Sequence, residues 1–228
     1  MGTSKGYIAP TKPEWSEAKR AVSGFLRNGD SESKAKAAGK YAAAMLSGGK
    51  QMNTQYAVAA GNVISFARGV ATNGVDQTLI AFGRSDLIGK SPSEILDALI
   101  DQFTNNSNTL ADSVSAEALS LAFYNLKIEA PEDLGNIGLD ALLREMITEY
   151  INLNFDVSYE EKIGRGRTSD EKYEILKEMH DFISSVIYNS VSKESLNKID
   201  FTNLKASDIV IRTLEQAYKE CVDLYGEN

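Results

Sequence analysis

One cysteine and one histidine in 228 residues leave little of the chemistry on which most enzyme sites rest. The lone thiol, Cys221, cannot close an intramolecular disulfide, so the fold does not call for an oxidising compartment. With His180 the sole imidazole, any Ser-His-Asp triad must be built on it, and no Gly-x-Ser-x-Gly turn is present to carry the serine. The common zinc geometries take three or four His or Cys ligands, which this chain cannot supply. Phosphate cradles of the form Gly-x-x-x-x-Gly-Lys-Ser/Thr are missing, and Gly164-x-Gly166 lacks both a third glycine and a preceding strand. No catalytic residue, no metal site and no cofactor is expected.

Long apolar runs are missing as well. The most apolar stretches, 54–71 and 139–157, are broken by Gln55, Asn62 and Arg68 and by Arg144, Glu145 and Glu149, so neither reads as a membrane span. The opening lacks the basic, apolar and small-residue order of a secretory signal, and the expectation is a soluble protein of the cytoplasm, not bound to membrane. The Met-Gly start does not carry a full myristoylation signal, because position 6 is Gly rather than Ser or Thr. A net charge of −8 argues against direct nucleic-acid binding, since a surface that holds phosphates must be basic. Alternating runs flanking an Asn-Gly or Asp-Gly turn, the mark of a β-hairpin, do not occur.

What remains is helical periodicity. Trp15, Ala18, Val22, Phe25 and Leu26 mark a first helix, with Thr11 or Ser16 as cap and Asn28-Gly29-Asp30 as stop. An Ala-rich helix over 31–47 ends at Gly48-Gly49, and a third over 53–71 mixes Ala57, Ala59, Ala60, Gly61, Ala67 and Gly69 with larger apolar residues. Glycine lowers helix propensity, so close backbone approach is the reason to expect it there. A short apolar piece, 75–82, follows.

Ser91-Pro92-Ser93-Glu94 is a capping box with proline at the first helical position, and Thr168-Ser169-Asp170-Glu171 is a second. Further helices are expected over 115–126, 139–157, 169–187 and 206–225, after a turn at 105–108 and a connection ended by Pro131. The reading is all-α: a single globular domain of about eight helices over 14–228, behind a flexible arm, 1–13, that carries Gly2, Gly6, Pro10 and Pro13. A subdomain break, if one exists, falls near 127–138.

Among polar groups, His180 sits mid-helix and reads as structural or exposed, and Cys221 as a core residue. The acidic clusters Glu129 with Glu132-Asp133, Glu160-Glu161 and Asp170-Glu171 do not follow the calcium-loop pattern and read as solvated. Lys162, Arg165 and Arg167 form the densest basic spot in the second half, with glycine spacing suited to an acidic or phosphorylated partner.

Met1-Gly2-Thr3-Ser4-Lys5-Gly6-Tyr7 with Pro10, followed by an Ala-rich helical body, resembles the QatB-like proteins of bacterial Qat antiphage defence operons. The resemblance extends through Arg20 to Phe25, Gly29-Asp30, Lys40-Tyr41, Ala57 to Gly74, Leu87 to Leu99, Ile163-Gly164 and Met179 to Val186. It implies an operon with an ATPase, a QueC-like enzyme of the 7-deazaguanine type and a TatD-like nuclease, with this chain as the non-enzymatic member and the QueC-like enzyme as its partner. Removal of Met1 would free the Gly2 amine as acceptor, with Thr3, Ser4, Lys5, Gly6 and Tyr7 guiding the arm. Two other readings stand beside it: a carboxylate-dependent hydrolase using Glu129, Glu161 or Asp181, and a structural protein that self-associates through its Ala-rich helices.

Overall fold

The computed structural model describes residues 12–191 and 205–225. Among these all regular secondary structure is helical, with no strand. Ten α-helices follow in order: α1 (Pro13–Asn28), α2 (Ser31–Gly48), α3 (Lys50–Asn73), α4 (Val75–Ala81), α5 (Pro92–Phe103), α6 (Leu110–Asn125), α7 (Pro131–Asn136), α8 (Leu139–Gly164), α9 (Ser169–Ser190) and α10 (Ala206–Tyr225). The two beyond the eight expected are the short ones, α4 and α7, too brief to show a helical period. Residues 152–157, where an extended conformation competes in the sequence, continue α8.

Helix starts follow local chemistry. In α5 the Ser91 hydroxyl accepts from the Glu94 amide at 3.4 Å and Glu94 accepts from the Ser91 amide at 3.0 Å. Thr168 and Glu171 repeat the exchange at α9, at 3.2 and 2.8 Å. A third box opens α6 five residues before the expected start, with Thr109 and Asp112 exchanging bonds of 3.1 Å each. α1 starts at Pro13, within the expected arm, with neither Thr11 nor Ser16 as its cap: Lys12 is the cap residue and offers no side-chain bond, while Pro13 needs no amide partner.

The chain divides into two compact units. The first comprises Met1–Lys50, Ile151–Ser190 and Glu215–Asn228, the second Gln51–Tyr150 and Val191–Leu214. The connection 127–138 lies inside the second unit.

In the first unit α1 and α2 form an antiparallel hairpin. Gly29, at φ +68°, lets its amide cap Phe25 O at 2.8 Å, and Asp30 accepts from the Ser33 amide at 2.7 Å to start α2. Trp15, Ala18, Val22 and Phe25 of α1 are buried. Tyr41, on α2, stands at the centre of an aromatic cluster, its ring 5.3 Å from Phe155, 6.1 Å from Tyr159 and 6.3 Å from Tyr218, all edge-on. Its hydroxyl donates to Ile151 O at 3.2 Å, which satisfies the one polar atom of a buried ring.

In the second unit α3 explains its own small residues. A Cβ on Gly61 would lie 2.6 Å from Ser207 N, one on Gly69 2.6 Å from Thr78 Cγ2, and α7 approaches so closely that a Cβ on Gly135 would meet Ala71 N at 3.0 Å. Side chains there would push the helices apart. Phe66, Phe82 and Phe103 fill one end of this core, and Tyr56 stacks on Tyr150 with ring centroids 3.8 Å apart. Tyr56 donates to Met146 O and Tyr150 to Asn53 Oδ1, so the stacked pair is tied to α8 and α3.

Candidate functional site

Gly2, Thr3, Ser4, Lys5, Gly6 and Tyr7 lie outside the described residues. The description begins at Lys12, whose ammonium donates to Ser47 O at the far end of α2.

The basic spot Lys162, Arg165, Arg167 sits at the turn from α8 to α9, and the fold gives its members different work. Lys162 donates to Lys19 O at 2.6 Å, and desolvation lowers its proton affinity. Arg167 donates to Ile163 O at 2.9 Å and to Leu26 O at 3.4 Å, closing the carbonyl end of α8 against the end of α1. Arg165 points outward, 79% exposed, and among the described residues pairs with the similarly exposed Glu161 at 3.4 Å. Gly166, at φ +73°, makes this turn. The shallow concavity beside it mixes both charges, since Glu160 pairs with Lys172.

His180 faces α8 and makes a 2.7 Å bond from Nε2 to Asp156 Oδ1, both side chains being partly exposed. One turn away Asn152 donates to Ser184 Oγ at 3.4 Å. The two bonds form a polar seam between α8 and α9 that fixes their register. Ser184 bonds Asn152 in this seam and His180 bonds Asp156, so the seam does not line up as a serine-to-histidine relay.

Glu129, Glu161 and Asp181 are all exposed, and Glu129 belongs to a different unit from the other two. Four carboxylates have their proton affinity displaced downward, Glu94 and Glu171 by the hydrogen bonds of their capping boxes, Asp30 by Ser33, and Asp86 by Arg84. These are cap and ion-pair roles, opposite in direction to a general acid. Burial pushes the Cys221 thiol up to about 12, as befits the packing residue read from the sequence. Among the described residues no group of three His, Cys, Asp or Glu side chains is placed to hold a metal ion, and no helix is long and apolar enough to cross a membrane.

A predominantly basic concavity lies elsewhere, between α1 and α2, with Glu17 its one carboxylate. It encloses about 460 Å³ and is walled by Arg20 and Arg27 on one helix and Lys36 and Lys40 on the other. Sequence reading passes over it because its four cations are divided between two helices; the available signal is the seven-residue spacing of Arg20 and Arg27 around Gly24.

These features define a class: an all-α protein of two compact helical units whose titratable side chains serve mainly as caps, ion pairs and packing. The family model described as Qat anti-phage system associated protein QatB matches residues 32–221, and the chain belongs to that family. It is a component of an anti-phage Qat system. No curated protein and no solved structure matches the chain.

Proposed function

We propose that this QatB-family chain works in the cytoplasm as a non-enzymatic partner and modification substrate of the QueC-like enzyme of its own operon, alongside the operon ATPase and TatD-like nuclease. The observation that supports the reading is the family match over 32–221, which ties the chain to an anti-phage Qat system. The helical body is the part that binds and presents, and the N-terminal arm is the part that reacts.

After removal of Met1, the Gly2 amine is a nucleophile with a pKa of about 8 and no side chain to obstruct its approach. An enzyme that activates a carboxylate with ATP delivers an acyl carbon to that nitrogen. The C–N amide bond forms, the activating phosphate group departs with the carboxylate oxygen, and the amine gives up a proton. Thr3 to Tyr7 hold the arm in the enzyme's site. Arg165 supplies a second contact, because Lys162 and Arg167 are occupied with backbone carbonyls.

The test is mass spectrometry of the N-terminal peptide from protein expressed with and without its operon neighbours. An added mass on Gly2 only in co-expression is the expected result, and Arg165→Glu should weaken co-purification of the enzyme. An unmodified Gly2 together with no co-purification would overturn the proposal.

A further inference from the structure

The groove between α1 and α2 combines four features that a solvated helix surface does not need. Arg20, Arg27, Lys36 and Lys40 converge on one space of about 460 Å³, a volume suited to a small ligand. They do so on a chain whose net charge is −8, so the local sign is the reverse of the whole. Glu17 is the one carboxylate on the lining, and Lys40 already engages it at 3.1 Å. Arg20, Arg27 and Lys36 have no carboxylate partner among the described residues.

The floor is as specific as the walls. Arg20 and Arg27 are two helical turns apart, about 10 Å along the axis. Ala21 and Gly24 lie between them, and a Cβ added to Gly24 would meet nothing within 4 Å. The groove is therefore open along its length, with a cation at each end of α1's stretch and two more facing them from α2. Bringing like charges together this way is unfavourable in the empty groove, and an extended polyanion lying along it relieves the repulsion. Asn28 adds a neutral side-chain amide at the hairpin end that can donate to phosphate oxygens.

We propose that this groove binds the polyphosphate chain of a nucleotide. Its lining holds no aromatic ring, so it has no platform on which a base could stack and is not built to follow a nucleic-acid strand. Recognition falls on the phosphates, through guanidinium and ammonium donors. Free polyphosphate presents the same chemistry, and the measurement must show whether the phosphates or the base are read.

Calorimetric titration of the full chain with ATP, inorganic tripolyphosphate, AMP and polyglutamate does so. The expected result is that ATP and tripolyphosphate bind with similar affinity, that AMP binds about tenfold more weakly or worse, and that added salt weakens all three. The double variant Arg20→Glu, Lys36→Glu should lose about tenfold or more in affinity for ATP. Gly24→Leu fills the floor without changing charge and should also weaken binding, with circular dichroism as the check that each variant is folded. Should the charge variant fail to fold, Gly24→Leu decides alone. ATP binding that leaves Gly24→Leu unaffected would overturn the proposal. So would ATP binding with tripolyphosphate silent, which would put recognition on the base, or binding of polyglutamate alone, which would give the groove to an acidic protein.

Discussion

Cys221 lies 2% exposed on α10, and burial, reinforced by the neighbouring Glu220, raises its thiol from an ordinary 9.0 to about 12. The reactive form is the thiolate, so near pH 8 the folded protein should scarcely react with a disulfide reagent and should react fully once denatured. Rapid reaction of the native protein in a colorimetric thiol assay would contradict this burial. Two glycines make a paired test of packing. At Gly61 a Cβ meets the Ser207 backbone at 2.6 and 2.8 Å, whereas at Gly24 it meets nothing within 4 Å. Gly61→Ala should destabilise the protein, because overpacking costs about 1–3 kcal/mol and exceeds the roughly 1 kcal/mol of helix propensity gained. Gly24→Ala keeps the gain alone and should raise the melting temperature. The same sign for both in thermal denaturation would mean that α3 and α10 do not meet closely.

At the scale of the helix, the caps are where local sequence acts most directly. Thr109→Ala removes the bond to the Asp112 amide and should cost about 1 kcal/mol, read from a shift of the denaturation midpoint. The expected start of α6 misses this box because its third residue is aspartate rather than the usual glutamate or glutamine. Glu94 carries a pH signature: its hydrogen bonds to Ser91 hold its folded pKa below the ordinary 4.5. A group depressed on folding contributes stability above its unfolded pKa and loses it as pH falls through the folded value. The melting temperature should therefore drop as pH is taken below 4.5, and less steeply in Ser91→Ala; an unchanged slope would remove Glu94 from the acid response.

For the whole molecule, the decisive variant is one that lacks the start of the arm. On the proposed function, deletion of residues 2–7 should abolish modification and partner binding while leaving the helical circular dichroism and the melting temperature unchanged. A lost helical signal in that variant would tie the arm to folding instead. The family match begins at residue 32 and leaves the arm outside it, so the arm's role stands on this experiment.

The sequence by itself determined the class and most element positions, because those follow from short-range rules. Helical spacing, the boxes at Ser91 and Thr168, and the Gly29-Asp30 stop-and-start each act within a few residues. It also made Cys221 a packing residue and the small side chains of α3 a sign of close approach, since apolar faces and glycines have few other uses inside a helix. Tertiary structure alone decided which distant residues meet. His180 finds Asp156 across 24 positions, Lys162 finds a carbonyl of α1, and four cations from two helices come to share one groove. Periodicity says which face of a helix is polar, but the partner that face meets depends on how the hairpin closes and where the helices cross. That is set by the summed packing of the core and leaves no mark at any single residue.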